Sequence, residues 1–142
     1  MKKRFLSTKN TFTIAILWGL VLFLITMLVL NLTKGNIPVA PIIIISLVTA
    51  FILWVLLDTR YVIKNNFLLY RSGPIRGRVD ITKIKSIKRF SGLNVPVMLK
   101  PALDTKGFIV TYNQFDDLFI SPKMSDIFIE EIKKINPKIE VI

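Results

Sequence analysis

Arg76, Arg78, Lys85 and Arg89 recur through "YRSGPIRGRVDITKIKSIKRF", residues 70–90, where seven Lys/Arg accompany the single acid Asp80. Guanidinium and ammonium groups so spaced hold anions: the phosphates of a nucleic acid, the headgroups of a lipid surface, or an acidic partner. Side chains suited to bond-making chemistry are scarce by comparison. The chain has no Cys and no His, which removes disulfides, thiolate catalysis, histidine bases and zinc sites of ordinary type. Asp104, Asp116 and Asp117 are the remaining carboxylate candidates, and the pair in "NQFDDLF" reads as a hairpin turn, because Asn and Asp favour turns. Gly73 and Gly77 lack the Lys-Ser/Thr of a phosphate loop and open no helix. The sequence therefore assigns no catalytic, cofactor-binding or metal-ligating residue. A non-enzymatic protein is expected, with Arg76, Arg78, Lys85 and Arg89 as the candidate contacts for anionic lipid or a partner.

The chain that positions these groups is lopsided. It is 52% hydrophobic and yet carries a net charge of +11 over 142 residues, so apolar and basic residues must occupy different segments. No charged residue occurs from Asn10 to Thr33 or from Gly35 to Leu57, and every acid lies at or after Asp58. As helices, residues 11–32 extend ~33 Å and residues 39–57 ~28 Å, against a hydrocarbon core of roughly 30 Å. Two transmembrane helices are expected. A fold of 85 residues is too small to enclose both as core helices, and the first run is too apolar and too long for a cleaved leader, with no small-x-small site after it.

Charge sets the orientation. Lys2, Lys3, Arg4 and Lys9 precede the first run and Arg60, Lys64 and Arg71 follow the second, whereas the connection "TKGNIP" carries only Lys34. Both termini are expected in the cytoplasm, with residues 1–57 as a cell-membrane anchor and 58–142 as a cytoplasmic domain. Trp54 fits an interfacial anchor, while Trp18 lies deeper than a belt residue should. The absence of ionisable groups between the run ends disfavours a channel or transporter.

From Asp58 the periodicity changes. "RYVIKNNFLLYRSG" predicts a hairpin of about Arg60–Ile63 with Phe67–Ser72 around Asn65-Asn66. After Gly73-Pro74, strand alternation puts Ile75, Gly77, Val79 and Ile81 on one face and Arg76, Arg78 and Asp80 on the other. Residues 85–90 follow as another strand, with Lys85, Ile87 and Arg89 in one phase. A Pro-containing loop spans 91–107, strands cover 108–112 and 117–121, and Met124, Ile127, Phe128, Ile132 and Ile135 form one helical stripe. Ser121-Pro122 predicts its start and Asn136-Pro137 its end. Five or six antiparallel strands closed by one amphipathic helix give an α+β domain.

The segments "YVIKNNFLLYRSGP", "RVDITKIKSIKRF", "KPALDTKGFIVTY" and "ISPKMSDIFIEEIKKINP" together resemble a bacterial pleckstrin-homology-like (PH-like) domain, specifically the YyaB-like family. Asp104 stands where the resemblance leads one to expect serine. The resemblance implies a PH-like antiparallel β-sheet or barrel capped by a C-terminal α-helix, preceded by two transmembrane helices. It implies no catalytic residue and no cofactor.

Five of the 20 basic residues precede Asp58 and all 9 acids lie at or after it, so the C-terminal domain carries +6. Nucleic acid is not expected as a partner, because the aromatic-on-sheet pattern of RNA readers is missing. A binding or scaffolding module is expected instead, integral to the lipid bilayer and engaging anionic headgroups or a membrane protein partner. Homo-oligomerisation stays open. Ordinary solvation of a basic sheet is the plainer reading of the same charges, and self-immunity against a membrane-active bacteriocin is the alternative function.

Overall fold

The computed structural model describes residues 2–35 and 38–142; Asn36 and Ile37 of the connecting segment lie outside the described residues. A strand β1 (Lys3–Leu6) is followed by helices α1 (Thr11–Thr33) and α2 (Val39–Asp58). Then come β2 (Arg60–Lys64), β3 (Phe67–Ser72), β4 (Ile75–Asp80), β5 (Ile84–Ser91), β6 (Lys106–Tyr112), β7 (Asp116–Ile120), α3 (Ser125–Ile135) and β8 (Glu140–Val141). The two long helices have 23 and 20 residues, long and apolar enough to cross a membrane. Asn10 caps the first, its side-chain oxygen accepting from the Phe12 N–H.

The strands form two four-stranded sheets, β1-β2-β3-β4 and β7-β6-β5-β8, with no closed barrel. Asn65 and Asn66 both adopt positive φ, as a two-residue hairpin loop demands, and so fix Lys64 opposite Phe67. The strand count exceeds the expected five or six because β1 and β8 were not legible. β8 is a two-residue parallel partner of β5, and β1 pairs with a strand beyond the helical hairpin, Lys3 opposite Ile63.

One core lies between the sheets and α3. Phe5, Tyr61, Leu68, Val79, Ile81, Ile87, Val110, Leu118, Phe128 and Ile132 are all buried in it. A second, smaller cluster of Val95, Val97 and Phe119 sits on the other face of β6 and β7, with Ile109 packed against it. The helical stripe is narrower than the sequence suggests. Phe128 and Ile132 are buried, whereas Met124 and Ile127 are exposed. Helix α3 also starts later than Ser121-Pro122 predicts: Met124, left-handed at φ 59°, is the residue before Ser125, and no side chain caps the helix. Ser121 is instead drawn into the interior, where its Oγ lies 2.9 Å from that of Ser7. The far end of α3 agrees with expectation, and Asn136 there donates through Nδ2 to the carbonyls of Ile81, Thr82 and Ile84.

Residues just beyond β1 stitch the sheets together at one corner. The Thr8 N–H donates to the Ser121 carbonyl at 2.6 Å and the Lys123 N–H to the Leu6 carbonyl at 2.7 Å. Because β1 leads into α1 and α2 leads into β2, and these strands are neighbours, the outer ends of both helices emerge at the same edge of the domain.

Candidate functional site

Cross-strand pairing decides which side chains share a face, since residues directly opposite one another point the same way. Across the first sheet, Leu6 lies opposite Arg60, Arg60 opposite Arg71, and Arg71 opposite Arg76. The next row reads Arg4, Val62, Leu69 and Arg78. The inward partners on the same strands, Tyr61, Ile63, Leu68 and Val79, are buried. Five arginines therefore stand on one outer face, and four of them, Arg4, Arg60, Arg71 and Arg76, line a groove of about 350 Å³ together with Val62 and Leu69.

Two of the five are partly neutralised. Asp58, the last residue of α2, accepts from Nε of Arg71, and its Oδ1 lies 3.5 Å from Nη2 of Arg60. Among the described residues Arg4, Arg76 and Arg78 take part in no ion pair. Arg76 instead lies 5.8 Å from the ring centre of Trp54, with its Nε donating to the Gly73 carbonyl at 3.3 Å, and Arg78 lies 5.5 Å from the ring centre of Phe67. Like charges directly opposite on a sheet are unfavourable, by up to about 1 kcal/mol per pair. Asp58 offsets that cost between Arg60 and Arg71, which leaves the contact between Arg71 and Arg76 as the less compensated one in the row.

The row adjoins the end of α2. Gly73, at φ +55° in the β3–β4 turn, is so close to the helix that a Cβ there would meet Val55 Cγ2 at 2.7 Å. On the inner side, a Cβ on Gly77 would lie 2.2 Å from the Tyr70 hydroxyl, so the glycine makes room for that ring.

Of the sequence-predicted contacts, the structure brings Arg76 and Arg78 together and places Lys85 and Arg89 elsewhere, on β5 of the second sheet. The shared phase expected for Lys85, Ile87 and Arg89 is broken by a register shift between Ile84 and Ser86, with Lys85 exposed and Ile87 buried. Arg89 lies over Phe108 at 5.7 Å and reaches Asp126 Oδ1 at 3.2 Å. Sequence reasoning missed Arg60, Arg71 and Arg4 as members of the face. The first two follow from the hairpin, because a two-residue loop at Asn65-Asn66 forces Arg60 opposite Arg71. Arg4 had no local signal, since its partner Val62 lies beyond both helices.

Carboxylates offer no competing site. Asp117 accepts from the Thr111 hydroxyl at 2.6 Å and Asp116 from Asn113 Nδ2 at 2.8 Å, both within the β6–β7 hairpin. Asp104 accepts from the Lys106 N–H, a turn bond. Among the described residues no group of three or more Asp/Glu/His/Cys is placed to hold a metal. A buried hydroxyl cluster joins β1, β2 and the end of β7. Tyr61 donates to the Pro101 carbonyl at 2.6 Å and accepts from the Ser121 N–H at 3.1 Å, while Ser7 accepts from the Leu103 N–H. Burial pushes the Tyr61 phenol above its ordinary value, the opposite of activation, although bonds with Ser121 and Ser7 act the other way. This cluster locks the corner of the fold.

A sequence model of one family, described as a bacterial PH domain, matches residues 59–136, more than half of the chain. No curated protein matches the chain, and no solved structure does.

Proposed function

Because the chain belongs to the bacterial PH domain family, we propose that it is a non-enzymatic, two-pass membrane protein whose PH domain holds anionic lipid headgroups on the outer face of its first sheet. The observation that carries this reading is the cross-strand row Arg60–Arg71–Arg76, flanked by Arg4 and Arg78 and set against Trp54 at the end of α2. Tryptophan near a helix end favours the headgroup level, and each basic residue near an anionic surface contributes about 1 kcal/mol. The apolar floor of the groove admits the glycerol end of a headgroup, and the arginine edges meet its phosphate.

Orientation supports the same reading. The outer helix ends leave one edge of the domain, so both chain termini lie on one side, and the basic residues flanking that edge outnumber the single Lys34 of the opposite connection. That bias supports a cytoplasmic PH domain, facing the leaflet surface that is rich in anionic lipid.

A domain in which a Gly/Ser linker replaces residues 11–57, retaining β1, tests the proposal by cosedimentation with anionic vesicles. The double substitution Arg76→Gln/Arg78→Gln is expected to weaken binding by roughly 2 kcal/mol at low salt, about 1 per charge. The difference should shrink as the Debye length falls from about 10 Å at 0.1 M to about 3 Å at 1 M. Equal sedimentation with anionic and zwitterionic vesicles at low salt would refute the lipid assignment.

A further inference from the structure

The connection between β5 and β6 carries two of the most exposed apolar side chains in the domain, Leu93 at 85% and Met98 at 102% exposure. It is not a loose loop. Val95 and Val97 are buried against Phe119, with Phe90 packed beside them, and the Phe119 N–H donates to the Leu99 carbonyl at 2.9 Å. Between Ser91 and Leu103 the only charge is Lys100. A rigid segment that buries two valines and displays a leucine and a methionine is suited to another apolar surface.

Position identifies that surface. The Asn10 N–H donates to the Leu103 carbonyl at 3.3 Å, and Asn10 Nδ2 donates to the Thr105 hydroxyl at 2.8 Å. Asn10 is the cap of α1, so the loop is tied to the residue at which the first apolar helix begins. Thr13, in the first turn of α1, lines a cleft of about 190 Å³ together with Gly92, Leu93 and Lys100. Leu93 thus stands beside the first turn of a candidate membrane span, and Lys100 stands nearby, where a basic side chain meets headgroups.

We infer that the 91–103 loop dips into the bilayer interface, with Leu93 and Met98 entering the boundary between headgroups and acyl chains as a third membrane contact beside α1 and α2. This rests on the reading that α1 crosses the bilayer, and it is independent of the arginine face, because the insertion is apolar and needs no anionic lipid.

The full chain contains no cysteine, so single probes can be placed without background. Leu93→Cys, Met98→Cys, Phe115→Cys and Gly19→Cys are each labelled with the fluorophore NBD and reconstituted into phosphatidylcholine vesicles that contain nitroxide lipids. Phe115 is 91% exposed and lies beyond the far end of β6, about 20 Å along the strand from Lys106, where the connection rejoins the sheet. Gly19 faces open space within α1. Probes at 93 and 98 are expected to lose most of their emission to shallow nitroxides and to be shielded from aqueous iodide; the probe at 115 should do the reverse, and that at 19 should respond to deep nitroxides. Quenching at 19 with 93 and 98 behaving like 115 would overturn the inference. Iodide shielding at 93 and 98 without lipid quenching would also overturn it, in favour of a protein contact. No quenching at 19 would remove the span and the loop insertion together.

Discussion

The ring of Phe5, ahead of both long helices, meets the ring of Phe128 in the C-terminal helix edge to face, with centroids 5.2 Å apart. Segments on either side of the helical hairpin in sequence therefore close one core. Tyr61 also packs edge to face against Phe128 at 6.5 Å, and Lys3 Nζ lies 2.8 Å from Glu131 Oε1. The sheet is incomplete without β1, which lies outside the residues that match the family model.

Phe5→Ala is accordingly expected to destabilise the domain by about 3–5 kcal/mol, the range for deleting a buried aromatic side chain. Chemical unfolding of the linker form described above, with and without the substitution, measures this. A change of a few tenths would mean that β1 is an appendage.

Tyr61 gives a pH signature. Burial raises its folded-state pKa above the ordinary value of 10.0, so the folded state keeps a proton that the unfolded chain releases. The stability conferred by the neutral phenol is fully present below about pH 10 and is lost as pH rises through the raised value. Tyr70 and Tyr112, also raised by burial, are partly exposed and add less. Unfolding free energy should fall above about pH 10, and Tyr61→Phe should flatten that fall while costing about 1–3 kcal/mol at neutral pH through the unpaired Pro101 carbonyl and Ser121 N–H. An unchanged alkaline slope in the variant would remove Tyr61 from this role.

Much of this fold is legible in the sequence, and the features that are not share a cause. The helical runs, the Asn65-Asn66 hairpin and the Arg76/Arg78 alternation are local, and local periodicity carried them. β1 is four residues with one inward aromatic, and its pairing spans both helices, so nothing near it in sequence announces a strand. The start of α3 was misplaced because Ser121 bonds to Ser7 across the fold rather than to its own helix. Ile109 packs on the opposite face of β6 from the main core, against the Val95/Val97 cluster, a placement that the short run 108–112 does not announce. Lys85 and Arg89 were grouped with Arg76 and Arg78 by charge, although the break at Ile81–Lys83 sends β5 into the second sheet.

Topology is testable at exposed positions. Ser7 is buried and unsuited to a probe, but Lys2, Lys34 and Phe115 are exposed. With single cysteines at these sites, a membrane-impermeant maleimide added to intact cells should label only position 34, and positions 2 and 115 should react after permeabilisation. Labelling of 2 without 115 would break the shared-side arrangement that the β1–β2 pairing requires.

Asp58 restrains two arginines of the basic face, so Asp58→Asn should strengthen retention of anionic lipid while changing stability by less than about 1 kcal/mol, as befits a partly exposed ion pair. Thermal unfolding beside lipid retention separates the two effects. Weaker retention at unchanged stability would mean that Asp58 itself helps to organise the ligand.

Native mass spectrometry of the full chain, released from nanodiscs containing equal phosphatidylglycerol and phosphatidylcholine, puts the arginine face to the most direct test. The account predicts that the wild type carries phosphatidylglycerol in preference, that Asp58→Asn carries more of it, and that Arg76→Gln/Arg78→Gln loses the preference with its fold intact. Equal retention of the two lipids by the wild type, or an undiminished preference in the double variant, would contradict it.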